Sequence, residues 1–152
     1  MNEEAPTGSA PARGSYLLPR YDNARVADVM RIGVLTCTPR SRLRDVARTM
    51  SRHHIHCVVV VEGSAARPEQ PWRLLTDVDL LRAIGDGRFD DLTARDVATE
   101  PALTVTSDDA LERAVRLMTE RARTHVVVVD GAEQPVGMLS TLDIATGVAW
   151  GL

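Results

Sequence analysis

Two hydrophobic rhythms follow one another along the chain, and the pair occurs twice. Apolar residues fall at Leu43, Val46, Ala47 and Met50, and again at Leu111, Ala114, Val115 and Met118. That i, i+3, i+4, i+7 spacing predicts a helix with one buried stripe. Each stripe leads into an unbroken valine run, Val58–Val61 and Val126–Val129. Short β-branched blocks bounded by turn residues predict strands covered on both faces. Apolar stretches at 34–37 and 102–105 predict a strand before each stripe, and those at 72–75 and 136–139 a strand after each valine run. Val26 and Val29, or Val97, mark a short helical turn at the head of each set. A closing helix is expected from near Thr76 to the Gly-Asp-Gly at 85–87, and from near Thr141 to near Gly147. Ser107 suits the N-cap of the second stripe helix, with Asp108, Asp109 and Glu112 near its positive end.

The recurrence is a duplication. Residues 28–63 align without gaps onto 96–131 at a constant offset of 68, with 13 of 36 positions identical. Past the closing glycines the copies rejoin at an offset of 64, "LLTDVDLL" (74–81) matching "MLSTLDIA" (138–145). The first copy therefore carries four extra residues in its "SAARPEQP" loop. Such self-similarity organises the chain before any single motif does. Each copy reads α-β-α-β-β-α over about 60 residues, too few for a comfortable core alone. Two copies packed sheet to sheet would bury the valine strands together. The expected division is a leader at 1–20, rich in Pro, Gly, Ala and Ser, then repeats at 21–90 and 91–152. "YLLP" in the leader is a segment able to dock on the domain.

Composition narrows the class. The 152 residues are 44% hydrophobic and 26% charged, with 3% aromatic, so the core must be aliphatic. No apolar run approaches the ~20 residues of a membrane helix, and the N-terminus lacks a hydrophobic signal segment. A soluble, cytoplasmic protein is expected. All 18 basic residues are Arg, as codon bias in a GC-rich bacterial genome would produce. The net charge of −3 and the scattered arginines argue against a nucleic-acid footprint. Cys37 and Cys57 do not make a disulfide framework, and reduced thiols are the default.

One stretch, "HHIHCVVVV" (53–61), contains metal-ligand residue types. No single backbone conformation gathers His53, His54, His56 and Cys57, and the second copy reads "RARTHVVVV", keeping only His125, opposite Cys57. The expectation is no metal site, but a helix-to-strand junction.

The ordered set "VADVM", "LTCTPRSRLRDVARTM", "IHCVVVVEG" and "RLLTDVDLL", found again as "ARDVA", "ALTVTSDDALERAVRLM", "THVVVVDG" and "VGMLSTLDIA", resembles a tandem pair of cystathionine-β-synthase (CBS) domains, a Bateman module. The resemblance covers roughly 26–150 and implies an α/β (α+β) fold of two repeats related by pseudo-twofold symmetry. It further implies a cleft between repeats for an adenosine-containing regulatory ligand: AMP, ADP, ATP or S-adenosylmethionine. On that basis the family's [ST]-x-x-D segment falls on Thr76 and Asp79, and on Ser140 and Asp143. An Asp one turn into a helix can accept ribose hydroxyls, and a hydroxyl at the helix N-terminus can donate to phosphate. The resemblance assigns the adenine edge to the backbone of His56, Cys57 and Val58, and of Thr124, His125 and Val126. It assigns first-strand contacts to Thr36 and Thr38, and to Thr104 and Thr106. Two features depart from the pattern. Val59 and Val127 stand where many members have Pro, and Arg73 stands where the second copy keeps Gly137. Arg73 would either block the first cleft or supply a phosphate partner, so unequal occupancy is expected.

Read without the resemblance, Asp79 and Asp143 are equally well helix caps, as are Thr76 and Ser140. No nucleophile–base–orienter set, P-loop or metal motif points to catalysis. The expected function is a non-catalytic metabolite or energy sensor that acts on an unidentified partner protein, requires no cofactor, and pairs into a homodimer through its helices. The alternative is a structural or interaction protein with degenerate, empty clefts. Histidines in the cleft wall would make affinity pH-sensitive near neutrality.

Overall fold

The computed structural model describes residues 23–63 and 72–151; the leader and the "SAARPEQP" loop lie outside the described residues. The two expected repeats are present as two sheets. In the first, β2 (Thr36–Cys37) lies parallel to β3 (Cys57–Val60), which runs antiparallel to β4 (Arg73–Thr76). The second carries the matching strands β5 (Thr104–Thr106), β6 (His125–Val129) and β7 (Pro135–Ser140). The stripe helices α1 (Leu43–His53) and α4 (Leu111–Glu120) make the crossovers between the parallel pairs. Helices α2 (Asp77–Gly85) and α5 (Thr141–Trp150) close the copies, and the short α3 (Ala94–Val97) opens the second.

The valine runs are divided by the strand's period of two. Val58 and Val60 face one core with Leu43, Val46, Met50 and Leu75. Val126 and Val128 face another with Leu111, Ala114, Met118 and Leu139. The alternate residues Val59, Val127 and Val129 meet each other and Trp72 between the sheets. Trp72 also donates its indole N–H to the Glu133 carbonyl across that interface at 3.3 Å. Both faces of each sheet are therefore covered, as the uniform valine runs require.

The leading segments cross over. Ala24 and Val26, ahead of the first copy, pack in the second copy's core. Ala94 and Ala98, ahead of the second, pack in the first copy's core. Backbone bridges pin the exchange, Arg25 to Ala110 and Arg42 to Thr93. This crossing explains why Ser107 is not the N-cap of α4. The Ser107 and Asp109 carbonyls accept the Ala27 and Val26 amides, and Asp109 accepts the Thr106 amide, so the helix starts later, after Ala110. Helix α5 also runs past Gly147 to Trp150 and ends on Gly151 in the left-handed region.

One further strand lies outside the duplicated pattern. β1 (Arg31–Ile32) leaves the first copy and adds antiparallel to β7. The addition depends on Gly137, where a Cβ would sit 2.5 Å from the Arg31 carbonyl oxygen. The equivalent approach in the first copy meets Arg73 in place of Gly137, and Pro101 with no amide hydrogen. A single bridge, Arg73 to Pro101, is what forms there.

Candidate functional site

The closing helices begin with the same device. Thr76 donates its amide and its hydroxyl to Oδ2 of Asp79, each at 2.8 Å. Ser140 does the same toward Oδ2 of Asp143, at 2.9 and 2.5 Å. These are reciprocal caps, with the hydroxyl accepting the Asp amide in return. On α3, Thr93 likewise donates its amide and its hydroxyl to Oδ2 of Asp96, each at 2.8 Å. The cap explains the Thr/Ser-x-x-Asp spacing, and it engages only one oxygen of each carboxylate.

The remaining oxygens differ. Oδ1 of Asp143 accepts from Arg31 Nε at 2.7 Å, and the Asp143 side chain is 7% exposed. Among the described residues, Oδ1 of Asp79 has only the guanidinium of Arg82 at 3.5 Å, on the exposed flank of its own helix. Asp79 lines a cavity of about 230 Å³ between the copies. Thr76 lines the same cavity from the first copy, and Thr124 and His125 line it from the start of β6. Thus four of the expected site residues converge, drawn from both copies.

His125 is half-buried, its Nδ1 2.9 Å from the Thr124 hydroxyl. Burial holds its imidazole below the ordinary histidine value, Asp77 and Asp143 pull it upward, and His56 pushes it down. At the cavity rim Arg123 pairs with Glu100.

The other expected residues are placed differently. His56 is exposed and pairs with Asp77, Nδ1 to Oδ2 at 2.7 Å. The His56 and Thr124 carbonyls accept the amides of Asp77 and Thr141, the first residues of the closing helices. Val58 and Val126 point into the cores, and Cys57 is buried. Thr36, Thr38, Thr104 and Thr106 are exposed and do not line the cavity; Ala102 and Leu103, just before β5, do. Arg73 is not among the lining residues either, whereas Thr99 and Arg82 are. Thr99 carries no motif, and the signal for it lies in its copy-related partner, Arg31.

Both thiols are free, and burial pushes Cys37 to about 11 and Cys57 to about 12. His53 ends α1, His54 follows it in the left-handed region, and His56 turns to Asp77. Among the described residues, no group of three or more His, Cys, Asp or Glu side chains is placed to hold a metal ion. Nor is any described helix long and apolar enough to cross a membrane.

The comparisons agree with this architecture. The CBS domain model matches residues 26–86 and 94–149, so the chain belongs to the CBS domain family, with two copies in tandem. Among curated proteins it is 29% identical over 121 residues to the uncharacterized protein MK0525 of Methanopyrus kandleri. That match takes in 78% of this chain and 60% of the other, so the chain spans less than two thirds of that relative. Among solved structures it resembles the CBS domain pair of protein MJ0100 in complex with 5'-methylthioadenosine and S-adenosyl-L-methionine. There the TM-score is 0.74 at 18% identity, covering 85% of this chain and 98% of the other. It also resembles the CBS domain protein PAE2072 of Pyrobaculum aerophilum complexed with AMP. In that case the TM-score is 0.70 at 23% identity, covering 84% of this chain and all of the other.

Proposed function

We propose that the chain is a regulatory module that binds an adenosine-containing ligand in the cleft between its two copies. The observation that carries this reading is the convergence of Thr76, Asp79, Thr124 and His125 on one cavity, where among the described residues Asp79 Oδ1 meets only a distant, exposed arginine. A carboxylate with one oxygen fixed by a helix cap and the other facing a cavity suits the paired hydroxyls of a ribose. Arg82 and Arg123 also line the cavity and suit the phosphate or carboxylate of such a ligand's tail, since charge-assisted contacts from arginine to anions are strong. The cavity volume of about 230 Å³ is somewhat below the range of small-molecule sites, about 300–1,000 Å³. Relatives of the same fold were solved with S-adenosyl-L-methionine, 5'-methylthioadenosine and AMP, which supports the ligand class.

The action is regulatory, without catalysis by this chain. A ligand touching both copies favours the relative orientation that fits it best and shifts the population toward that state. A cytoplasmic partner protein would read the state. Isothermal titration with AMP, ADP, ATP and S-adenosylmethionine tests the reading: saturable heat with at least one supports it, and none with any of the four defeats it.

We also propose that the module pairs with a second copy through α2 and α5. Val78, Leu81 and Ile84 on α2 are exposed, as are Leu142, Val148 and Trp150 on α5, where Trp150 is 85% exposed. Apolar faces on two copy-related helices suit an isologous dimer. Light scattering at micromolar concentration should report twice the chain mass; a monomer refutes the pairing.

A further inference from the structure

The two clefts of a duplicated module should be equivalent, and here they are not. Arg31 and Thr99 occupy matching positions, related by the offset of 68 between the copies. Thr99 lines the open cavity beside Asp79. Arg31 reaches Asp143 instead, Nε to Oδ1 at 2.7 Å. With Oδ2 of Asp143 already accepting from Ser140, neither oxygen is left without a strong donor.

The backbone makes this contact specific. β1 carries Arg31 against β7, with Arg31 opposite Met138 and Ile32 opposite Gly137. The Gly33 amide extends the attachment to the Val136 carbonyl at 2.8 Å. Gly137 admits the strand because it has no Cβ to strike the Arg31 carbonyl. In the first copy Arg73 replaces that glycine and Pro101 replaces Gly33, so the matching segment makes one bridge, and Thr99 is too short to span to a carboxylate. Three substitutions between copies thus act together: Gly to Arg at the strand, Gly to Pro at the arm, and Arg to Thr at the tip.

We propose that Arg31 is a built-in occupant of the second cleft, holding the Asp143 carboxylate that a ribose would otherwise take. The inference rests on the adenosine reading above. It assigns the chain a single ligand site per copy of the protein, at Thr76 and Asp79, and makes Arg31 the residue that sets this stoichiometry. The asymmetry therefore rests on the docked arm and on the Arg31 side chain it carries, and removing that side chain should open the second cleft.

Isothermal titration of the full chain with AMP, ADP, ATP and S-adenosylmethionine tests this. Wild type should bind one equivalent. Arg31→Thr, which gives the second copy the residue of the first, should bind two, and so should Arg31→Gln, which keeps much of the side-chain stem. Two equivalents in wild type, or one in both Arg31 variants, overturns the inference while leaving the adenosine reading intact. Loss of binding in both Arg31 variants also overturns it, because Arg31 would then be a ligand contact. No heat with any of the four compounds in wild type and both Arg31 variants overturns the adenosine reading and this inference with it.

Discussion

Gly137→Ala is the sharpest perturbation of the link between the copies. The glycine's own φ is not in the left-handed region, so alanine is allowed there by the backbone, and the cost comes from contact alone. The new methyl would lie 2.5 Å from the Arg31 carbonyl oxygen and 3.3 Å from Met30 Cε. The methionine end can move; the carbonyl can move only by lifting β1 from β7. Lifting it gives up the two-residue ladder and the Gly33-to-Val136 bond. At about 1 kcal/mol net for each hydrogen bond, this costs about 2–3 kcal/mol. Replacing a strand glycine by alanine returns about 0.5–1 kcal/mol. The net expectation is a loss of about 2 kcal/mol, equivalent to about 4–8 °C in Tm for a chain of this size. Urea denaturation followed by circular dichroism measures it, with Gly131→Ala as control because nothing lies within 4 Å of a Cβ there. The control should stay within about 0.5 kcal/mol of wild type. Hydrogen exchange at the Gly33 amide should quicken in Gly137→Ala. An unchanged midpoint together with a still-protected Gly33 amide would refute the reasoning.

Leu139 is fully buried in the second core, so Leu139→Ala should cost about 2–5 kcal/mol by denaturant titration; a loss below about 1 kcal/mol would contradict the packing. The raised Cys37 and Cys57 thiols should resist a disulfide-exchange reagent at pH 8 in the native protein and react fully once unfolded. Immediate labelling of both in the native state would count against their burial. His125, whose folded pKa lies below the unfolded value of 6.5, binds fewer protons when folded. Stability should therefore be complete above that value and fall as pH drops through it toward the folded pKa. His125→Gln should show a shallower acid loss between pH 8 and 5.5, and an identical slope would refute the assignment.

What could be read from the sequence was whatever has a period or a repeat. The valine runs and the stripes at Leu43–Met50 and Leu111–Met118 predict strands and helices because burial imposes a spacing of two or of 3.6. The family pattern named Thr76, Asp79, Thr124 and His125 as site residues without grouping them in one cleft, and the structure brings those four to one cavity. The crossing of Ala24 and Val26 into the opposite core was not legible, since their local pattern suits either copy equally. β1 escaped for a related reason: Ile32 is 89% exposed, so no alternation marks the strand, and its pairing depends on a glycine far along the chain. Arg73 drew attention as a possible plug for the first cleft. The same departure from glycine instead accompanies the loss of the arm there, while the inconspicuous Arg31, one arginine among 18 basic residues, reaches the second carboxylate. Only the paired comparison of Arg31 with Thr99 and Gly137 with Arg73 would have shown it.

The central claim is that Asp79 holds an adenosine-containing ligand in the cleft between the copies. Calorimetric titration of wild type and Asp79→Asn with AMP, ADP, ATP and S-adenosylmethionine tests it most directly, because asparagine can still accept the helix-capping bonds from Thr76. Saturable binding of at least one compound to wild type is expected, with affinity lower by tenfold or more in Asp79→Asn. Equal affinity in the two proteins, or no heat from any compound with wild type, would contradict it.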